Sequence, residues 1–118
     1  MHEYSVTKSL VDLCNREAEN NNIKAIAKIN LKVGRFTGFS PDSIKFYFEH
    51  LKSNTKCSNA KIEFEEVPIE IKCQACGSQN TIDEPILLCP DCGSDKIDLL
   101  SGREFFVASI EGEEYEED

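Results

Sequence analysis

The feature that most constrains this chain is a pair of Cys-x2-Cys motifs separated by twelve residues. Two intervening residues let one tight turn direct both sulfur atoms at the same ion, and the glycine after each motif lets backbone amides turn toward the sulfurs. Four thiolates arranged as a tetrahedron, about 2.3 Å from the ion, suit zinc. We therefore predict one structural zinc ion, held by Cys73, Cys76, Cys89 and Cys92.

Other uses of these four thiols depend on the redox compartment. They could stay free, form two redox pairs, or hold iron alone or in an iron–sulfur cluster. The chain start has no apolar stretch of signal-peptide length, and no run of residues is apolar enough to span a membrane, so we expect a cytoplasmic protein. Thiols stay reduced in the cytosol, which favours a metal over disulfides.

The remaining two cysteines have no motif partner. Cys14 lies on the apolar face of a predicted helix, so we expect it in the core, whereas Cys57 lies in a polar loop, so we expect a surface thiol. A disulfide between them is chemically feasible but disfavoured in the cytosol.

The pattern around the motifs predicts an α+β domain that the metal module interrupts. An apolar stripe predicts a helix over residues 3–20, and alternation predicts a strand in which Ala27, Ile29, Leu31 and Val33 share one face. Ser40 is typical of a second helix start, and extended segments flank the cysteine-rich region. We expect a small sheet with two helices formed by residues 1–70 and 103–112, an inserted four-cysteine zinc-ribbon-like module of residues 71–102, and an acidic tail of residues 113–118.

The charge of the chain argues against nucleic acid as a partner. Six of the last eight residues are acidic, so most of the formal net charge of -9 belongs to the tail, and no basic face is left to meet phosphates. We interpret the tail as disordered and solubilising, with a partner contact or weak metal capture as the alternative.

The chain start offers a second set of metal donors. The amine of Met1, the amide of His2 and its imidazole can close two fused chelate rings, and the amide or carboxylate of Glu3 can complete a plane. Planar, nitrogen-rich donor sets suit Ni(II) or Cu(II), and because copper binds more strongly, supply would decide between them. Any chain that begins Met-His has these atoms, so the pattern alone does not establish a site. His50, at the end of the second predicted helix, is interpreted as a helix-end residue.

Taken together, these motifs resemble one known family. Met1-His2-Glu3 before an amphipathic helix, Leu31-Lys32-Val33-Gly34 followed by Ser40-Pro41-Asp42-Ser43-Ile44-Lys45-Phe46, and the spaced cysteine pairs are similar to HypA, the nickel metallochaperone family of [NiFe]-hydrogenase maturation. The resemblance covers nearly the whole chain.

The resemblance implies a function and a set of partners. It implies that His2 is the indispensable ligand of a transferable Ni(II) and that Met1 and Glu3 supply nearby donors. The family's loop before the second helix can carry an acidic residue near the nickel, and the alignment leaves Ser40 and Asp42 open as the positions that correspond to it. It also implies that the GTPase HypB and the [NiFe]-hydrogenase large-subunit precursor are partners. Some family members serve urease, so urease maturation proteins are further candidates.

Two other classes compete with this interpretation. One is a zinc-ribbon protein-interaction module that transfers no metal. The other is an enzyme, which we do not expect because the two histidines lie far in sequence from both cysteine pairs and no phosphate-binding glycine loop is present. No membrane association is expected.

Overall fold

The computed structural model describes residues 3–115, so the terminal residues Met1, His2 and 116–118 lie outside it. The helices and strands of the described range occur in the following order. They are helix α1 (Glu3–Asn20), strand β1 (Ile23–Gly34), a short 3-10 turn (Arg35–Thr37), helix α2 (Pro41–Leu51), and strands β2 (Lys61–Val67), β3 (Ile69–Cys73), β4 (Gln79–Ile82), β5 (Ile97–Ser101) and β6 (Phe105–Glu114).

Both predicted helices are confirmed. Helix α1 buries one stripe of side chains and begins with a hydrogen bond in which the Thr7 hydroxyl donates to the Glu3 carbonyl oxygen at 2.6 Å. Helix α2 begins as its sequence predicts, because the Ser40 hydroxyl accepts a hydrogen bond from the Ser43 amide at 3.3 Å and Pro41 occupies the first turn. The buried residues of α1 are Thr7, Leu10, Val11, Cys14 and Ala18.

The strands form two three-stranded sheets, with strand orders β2-β1-β6 and β4-β3-β5. Pro68 ends one extended segment and separates β2 from β3, which lie in different sheets. In β3, alternate side chains are buried and Cys73 is the last of them. Both neighbours of β3 are short strands that the sequence analysis did not predict, and both pair with it antiparallel.

Strand β1 shows one departure from the predicted alternation. Ile29, Leu31 and Val33 are buried as expected, but Ile26 is buried in place of Ala27, which is exposed. In this part of the strand, the Ile26 amide donates a hydrogen bond to the carbonyl oxygen of Lys56, in the turn after α2, at 2.8 Å. The apolar face of β1 therefore shifts by one residue near its start.

The last strand extends into the segment that the sequence analysis assigned to the tail. Strand β6 continues to Glu114, and the Lys56 ammonium lies 5.1 Å from the centre of the Tyr115 ring. The same ammonium donates to the Tyr115 hydroxyl at 3.2 Å. A cation–π contact and a hydrogen bond therefore hold the beginning of the acidic segment to the fold.

The chain divides into two compact units. Within residues 3–115, one comprises the residues up to Leu31, Phe39–Phe64, and the residues from Val107 to Tyr115, and its core contains Ile29, Ile44 and Phe48. The other comprises Lys32–Gly38 and Glu65–Phe106, and it contains all four motif cysteines.

The two cysteines outside the motifs are both free and both buried. The expectation for Cys14 is confirmed, but the expectation of a surface thiol at Cys57 is wrong. Polar groups of the turn satisfy its backbone, since the Cys57 amide donates to the Thr55 hydroxyl and the adjoining Lys56 amide donates to the Asn15 side chain at 2.9 Å. With its backbone paired in this way, the turn directs the small apolar Cys57 side chain into the core.

We expect Gly34→Ala to lower the free energy of unfolding by about 3 kcal/mol. A methyl group there would overlap the Gly102 carbonyl oxygen, which already accepts a hydrogen bond from the Phe36 amide. Gly38→Ala is the control: a methyl group at Gly38 would meet no atom within 4 Å, so only the positive φ of 73° opposes it, and its cost should be about 1 kcal/mol. Equal losses in urea unfolding of the two variants would contradict this prediction.

We also expect the stability to fall in alkaline solution because of Cys14. Burial, assisted by Cys57 and Glu17, raises the pKa of the Cys14 thiol to about 12. The unfolded thiol loses its proton near its ordinary pKa, so the unfolded state binds fewer protons and stability declines as the pH rises from about 9. In urea unfolding between about pH 8 and 10, Cys14→Ala should show a shallower decline. The control Leu10→Ala, which removes packing but no thiol, should keep the wild-type slope, and equal slopes in both variants would refute the assignment.

Candidate metal centre

The four motif cysteines converge on one point. Their sulfur atoms all lie within 4.8 Å of one another, and two of the sulfur pairs that join different motifs, Cys73 with Cys92 and Cys76 with Cys89, are each separated by 3.6 Å. A tetrahedron of sulfurs around zinc, with bonds of about 2.3 Å, has edges of about 3.8 Å. The spacing of these atoms therefore fits a single zinc ion.

Each motif forms a tight turn of the same geometry. In the first, the Cys73 amide donates to the Ser78 carbonyl oxygen and the Gly77 amide donates to the Cys73 carbonyl oxygen, both at 2.9 Å. Gly77 adopts a positive φ of 78°, a conformation that residues with a Cβ atom rarely adopt. With glycine at this position, the turn closes without a side chain in the way.

The second motif repeats these contacts. The Cys89 amide donates to the Ser94 carbonyl oxygen at 2.9 Å, the Gly93 amide donates to the Cys89 carbonyl oxygen at 2.8 Å, and Gly93 has a φ of 76°. Strand β3 leads directly into the first turn, whereas the second is flanked by irregular chain and β5. The first cysteine of each motif is buried, and the second cysteine of each is exposed.

Hydrogen bonds prepare two of the thiols to lose their protons. The Ser78 hydroxyl, supported by the Cys92 and Asp91 amides, lowers the pKa of Cys89 to about 6. The Cys76 amide, 3.4 Å from the Cys73 sulfur, lowers the pKa of Cys73. These contacts stabilise thiolates, which are the form that binds metal ions.

Cys92 behaves differently. The Ser94 amide acts to lower its pKa, but its neighbouring thiols, Cys73 first, together with desolvation, outweigh this and raise the pKa of Cys92 to about 12. A set of four cysteine sulfurs suits a soft or borderline metal such as zinc.

The predicted nickel ligands Met1 and His2 lie outside the described residues. Glu3 is described, and its carboxylate oxygen Oε2 accepts a hydrogen bond from the Ser40 amide at 2.8 Å. The structure therefore brings Glu3 to the start of α2, where Ser40 already acts as the N-cap. Asp42 lies in the first turn of the same helix. Glu3 and Ser40 are both candidate site residues by sequence, but nothing in the sequence predicts the contact between them.

The other histidine lies at the end of α2. His50 Nδ1 is 2.9 Å from the Phe46 carbonyl oxygen, and the two rings are 4.5 Å apart. This agrees with its interpretation as a helix-end residue.

Within residues 3–115, the fold and the site define a class: a small α+β protein with two helices, two small sheets and a metal-binding cluster of four cysteines. Over the whole sequence, the family model for hydrogenase/urease nickel incorporation, metallochaperone HypA, matches residues 1–112. This chain therefore belongs to the HypA family, as its motifs suggested.

Individual relatives agree with this assignment. The hydrogenase maturation factor HypA of Moorella thermoacetica is 34% identical over 113 residues, which cover 96% of this chain and all of that protein. The HypA of Caldanaerobacter subterraneus is 38% identical over 114 residues, again 96% of this chain and all of its relative. The solution structure of the Ni metallochaperone HypA from Helicobacter pylori has the same fold, with a TM-score of 0.69 and 24% identity over 98% of this chain and all of that one.

Neither helix in the described part of the chain is long and apolar enough to cross a membrane.

We expect Cys89→Ala to remove one equivalent of tightly bound zinc. Zinc binding contributes on the order of 10 kcal/mol to the folding of such modules, so the β4-β3-β5 sheet should also lose its protection against amide hydrogen exchange. Cys57→Ala is the matched control, because it removes a buried thiol that lies outside the cluster. Metal analysis and hydrogen exchange check both outcomes, and an undiminished zinc content in Cys89→Ala would disprove the assignment.

Proposed function

We propose that this protein is a nickel metallochaperone, which binds Ni(II) at its N-terminus and delivers it for [NiFe]-hydrogenase maturation. The observation that carries the proposal is the family match, which begins at Met1 and so includes the N-terminal donors. Ni(II) is cargo, whereas Zn(II) in the four-cysteine cluster is a structural ion.

The nickel ligands that we propose are the amine of Met1, the amide and imidazole nitrogens of His2, and a donor of Glu3. The contact between Glu3 Oε2 and the Ser40 amide supports this arrangement, because it ties the first turn of α1 to the start of α2. With one carboxylate oxygen engaged in this way, the Glu3 amide and its second oxygen are the donors that we propose for nickel. Ser40 therefore lies beside the proposed site, and its backbone contributes a hydrogen bond.

Metal transfer needs no covalent step, so we propose no enzymatic activity. A chelate at a chain terminus can bind an ion firmly, and a partner can still replace its ligands one at a time. The zinc site differs, because four thiolates complete a tetrahedron and leave no open position for exchange. In our proposal, the zinc is held by Cys73, Cys76, Cys89 and Cys92, and its binding folds the module around it. This module is the predicted segment of residues 71–102, and the nickel-binding domain is formed by residues 1–70 and 103–112.

The partners that we propose follow from family membership and from the chain's own chemistry. The sequence has no phosphate-binding glycine loop, so nucleotide hydrolysis must come from a partner, which we propose is the GTPase HypB. The recipient is the [NiFe]-hydrogenase large-subunit precursor, and urease maturation proteins are further candidates. Because these partners are cytoplasmic, we propose the cytoplasm as the location of this chain.

A second candidate function is a zinc-ribbon interaction module without metal transfer. The exposed side chains of Ile86 and Leu88, between the two cysteine motifs, favour it because they present apolar surface to solvent. This alternative requires one metal ion per chain, whereas the chaperone requires a zinc ion and a nickel ion. Native mass spectrometry with added Ni(II) distinguishes the two.

We expect His2→Ala to weaken Ni(II) binding at least tenfold, about 1.4 kcal/mol, while the zinc content stays unchanged. An N-terminal extension that displaces the Met1 amine should have the same effect. In the wild type, nickel affinity should fall as the pH drops through about 6.5, because the imidazole must be unprotonated to bind. The control is His50→Ala, which removes the other histidine of the chain. Titration calorimetry checks these outcomes, and equal nickel affinity of wild type and His2→Ala would refute the proposal.

A further inference from the structure

The two cysteine turns have the same backbone hydrogen bonds, but the side chains of two equivalent serines have different partners. Ser78 and Ser94 occupy the same place, two residues after the second cysteine of each motif. Their carbonyl oxygens make the same contact, since each accepts a hydrogen bond of 2.9 Å from the first cysteine amide of its own motif. A difference between their side chains therefore cannot be attributed to the path of the backbone.

The side chains of these serines have different partners. The Ser78 hydroxyl oxygen lies 3.2 Å from the Cys76 sulfur and 3.4 Å from the Cys89 sulfur, so it contacts one ligand from each motif. The Ser94 hydroxyl oxygen instead accepts a hydrogen bond from the Lys96 amide at 3.1 Å. Of these two equivalent hydroxyls, Ser78 is thus the one directed at the cluster.

A second layer of polar groups orients Ser78. The Asn80 side-chain amide donates to the Ser78 hydroxyl oxygen and to the Asp91 carboxylate, both at 3.3 Å. Asp91 lies inside the second motif, between Cys89 and Cys92. Side-chain hydrogen bonds therefore connect the two turns, from Asp91 through Asn80 to Ser78. They lie beside the close contacts between sulfur atoms of the two motifs.

The direction of these hydrogen bonds follows from the available protons. A hydroxyl has one proton to donate, and the Ser78 oxygen already accepts one from Asn80. Thiolates that bind a metal have no proton, so the single Ser78 proton is donated to one of the Cys76 and Cys89 sulfurs or shared between them. A donated hydrogen bond withdraws charge from a thiolate sulfur, which makes it a poorer nucleophile and fixes its position.

We propose that Ser78, oriented by Asn80 and Asp91, is a positioning residue of the metal centre that holds the Cys76 and Cys89 sulfurs on the ion and slows its release. This inference rests on the proposed zinc site and is independent of nickel delivery. It concerns a polar contact around the ligands, so it predicts an effect on metal release and on the sulfur–metal bond rather than on metal stoichiometry.

The first test measures zinc release from the full-length, zinc-loaded protein to a chromogenic chelator. Ser78→Ala should release zinc about tenfold faster than wild type, which is the lower end of the range for lost outer-shell contacts. Ser94→Ala, the matched control at the equivalent position, should release zinc at the wild-type rate, and Ser78→Thr should restore slow release. Equal rates for Ser78→Ala and Ser94→Ala would overturn the proposal.

The second test separates a hydrogen bond to sulfur from a general loosening of the turn. In the cobalt-substituted protein, loss of a donor to thiolate should move the sulfur-to-cobalt charge-transfer band to lower energy in Ser78→Ala but not in Ser94→Ala. Asn80→Ala keeps the hydroxyl but removes its orientation, so a smaller shift is expected and the test remains decisive if Ser78→Ala folds poorly. An unmoved band in both the Ser78 and Asn80 variants would refute the inference. Failure of the wild type to bind zinc would instead overturn the zinc proposal and, with it, this inference.

Discussion

Four sulfur atoms from two separate turns must meet at one point, and this constraint governs the cysteine-containing unit. Its apolar contribution is small, because the described core of that unit is little more than Val33, Ile69, Ile71 and two of the cysteines. A core of this size cannot by itself offset the conformational entropy of ordering some fifty residues, roughly 1–2 kcal/mol each for the backbone. In the proposed zinc-bound protein, metal–sulfur bonds supply what the apolar side chains lack, and we expect the short strands β4 and β5 to depend on the same ion as the turns.

Local periodicity predicts the helices and strands whose own sequence pattern determines which side chains are buried. Helices α1 and α2 followed from an apolar stripe and a serine cap, and most of β1 followed from alternation. Other features depended on partners distant in sequence, and periodicity carries no information about these. Strands β4 and β5 are four and five residues long, with neither face fully buried, so no alternation could reveal them. Cys57 is buried because Asn15, some forty positions away, pairs with its neighbour Lys56.

The same division applies to the site. The cysteine cluster could be predicted because spacing alone determines which sulfurs can reach one ion. The contacts of Ser78 could not, because Ser94 has the same position relative to its motif and a different side-chain partner. The pairing of Glu3 with Ser40 joins residues 37 positions apart through a backbone amide, which any residue type except proline could donate. Side-chain identity therefore predicts ligands better than it predicts the groups that orient them.

The two proposed metal sites require opposite rates of metal exchange, and their ligands therefore lie in different parts of the chain. A structural ion should exchange slowly, which favours four ligands from two rigid turns with hydrogen bonds that fix the sulfurs. A transferable ion must be reached by a partner, which favours donors at the end of the chain, where ligands can be exchanged stepwise. Such a terminus still needs a fixed point of attachment to the fold, because a freely moving donor set loses entropy when it closes on an ion. In our proposal, the hydrogen bond between Glu3 and the Ser40 amide is that point of attachment, because it fixes the residue that follows the proposed imidazole ligand.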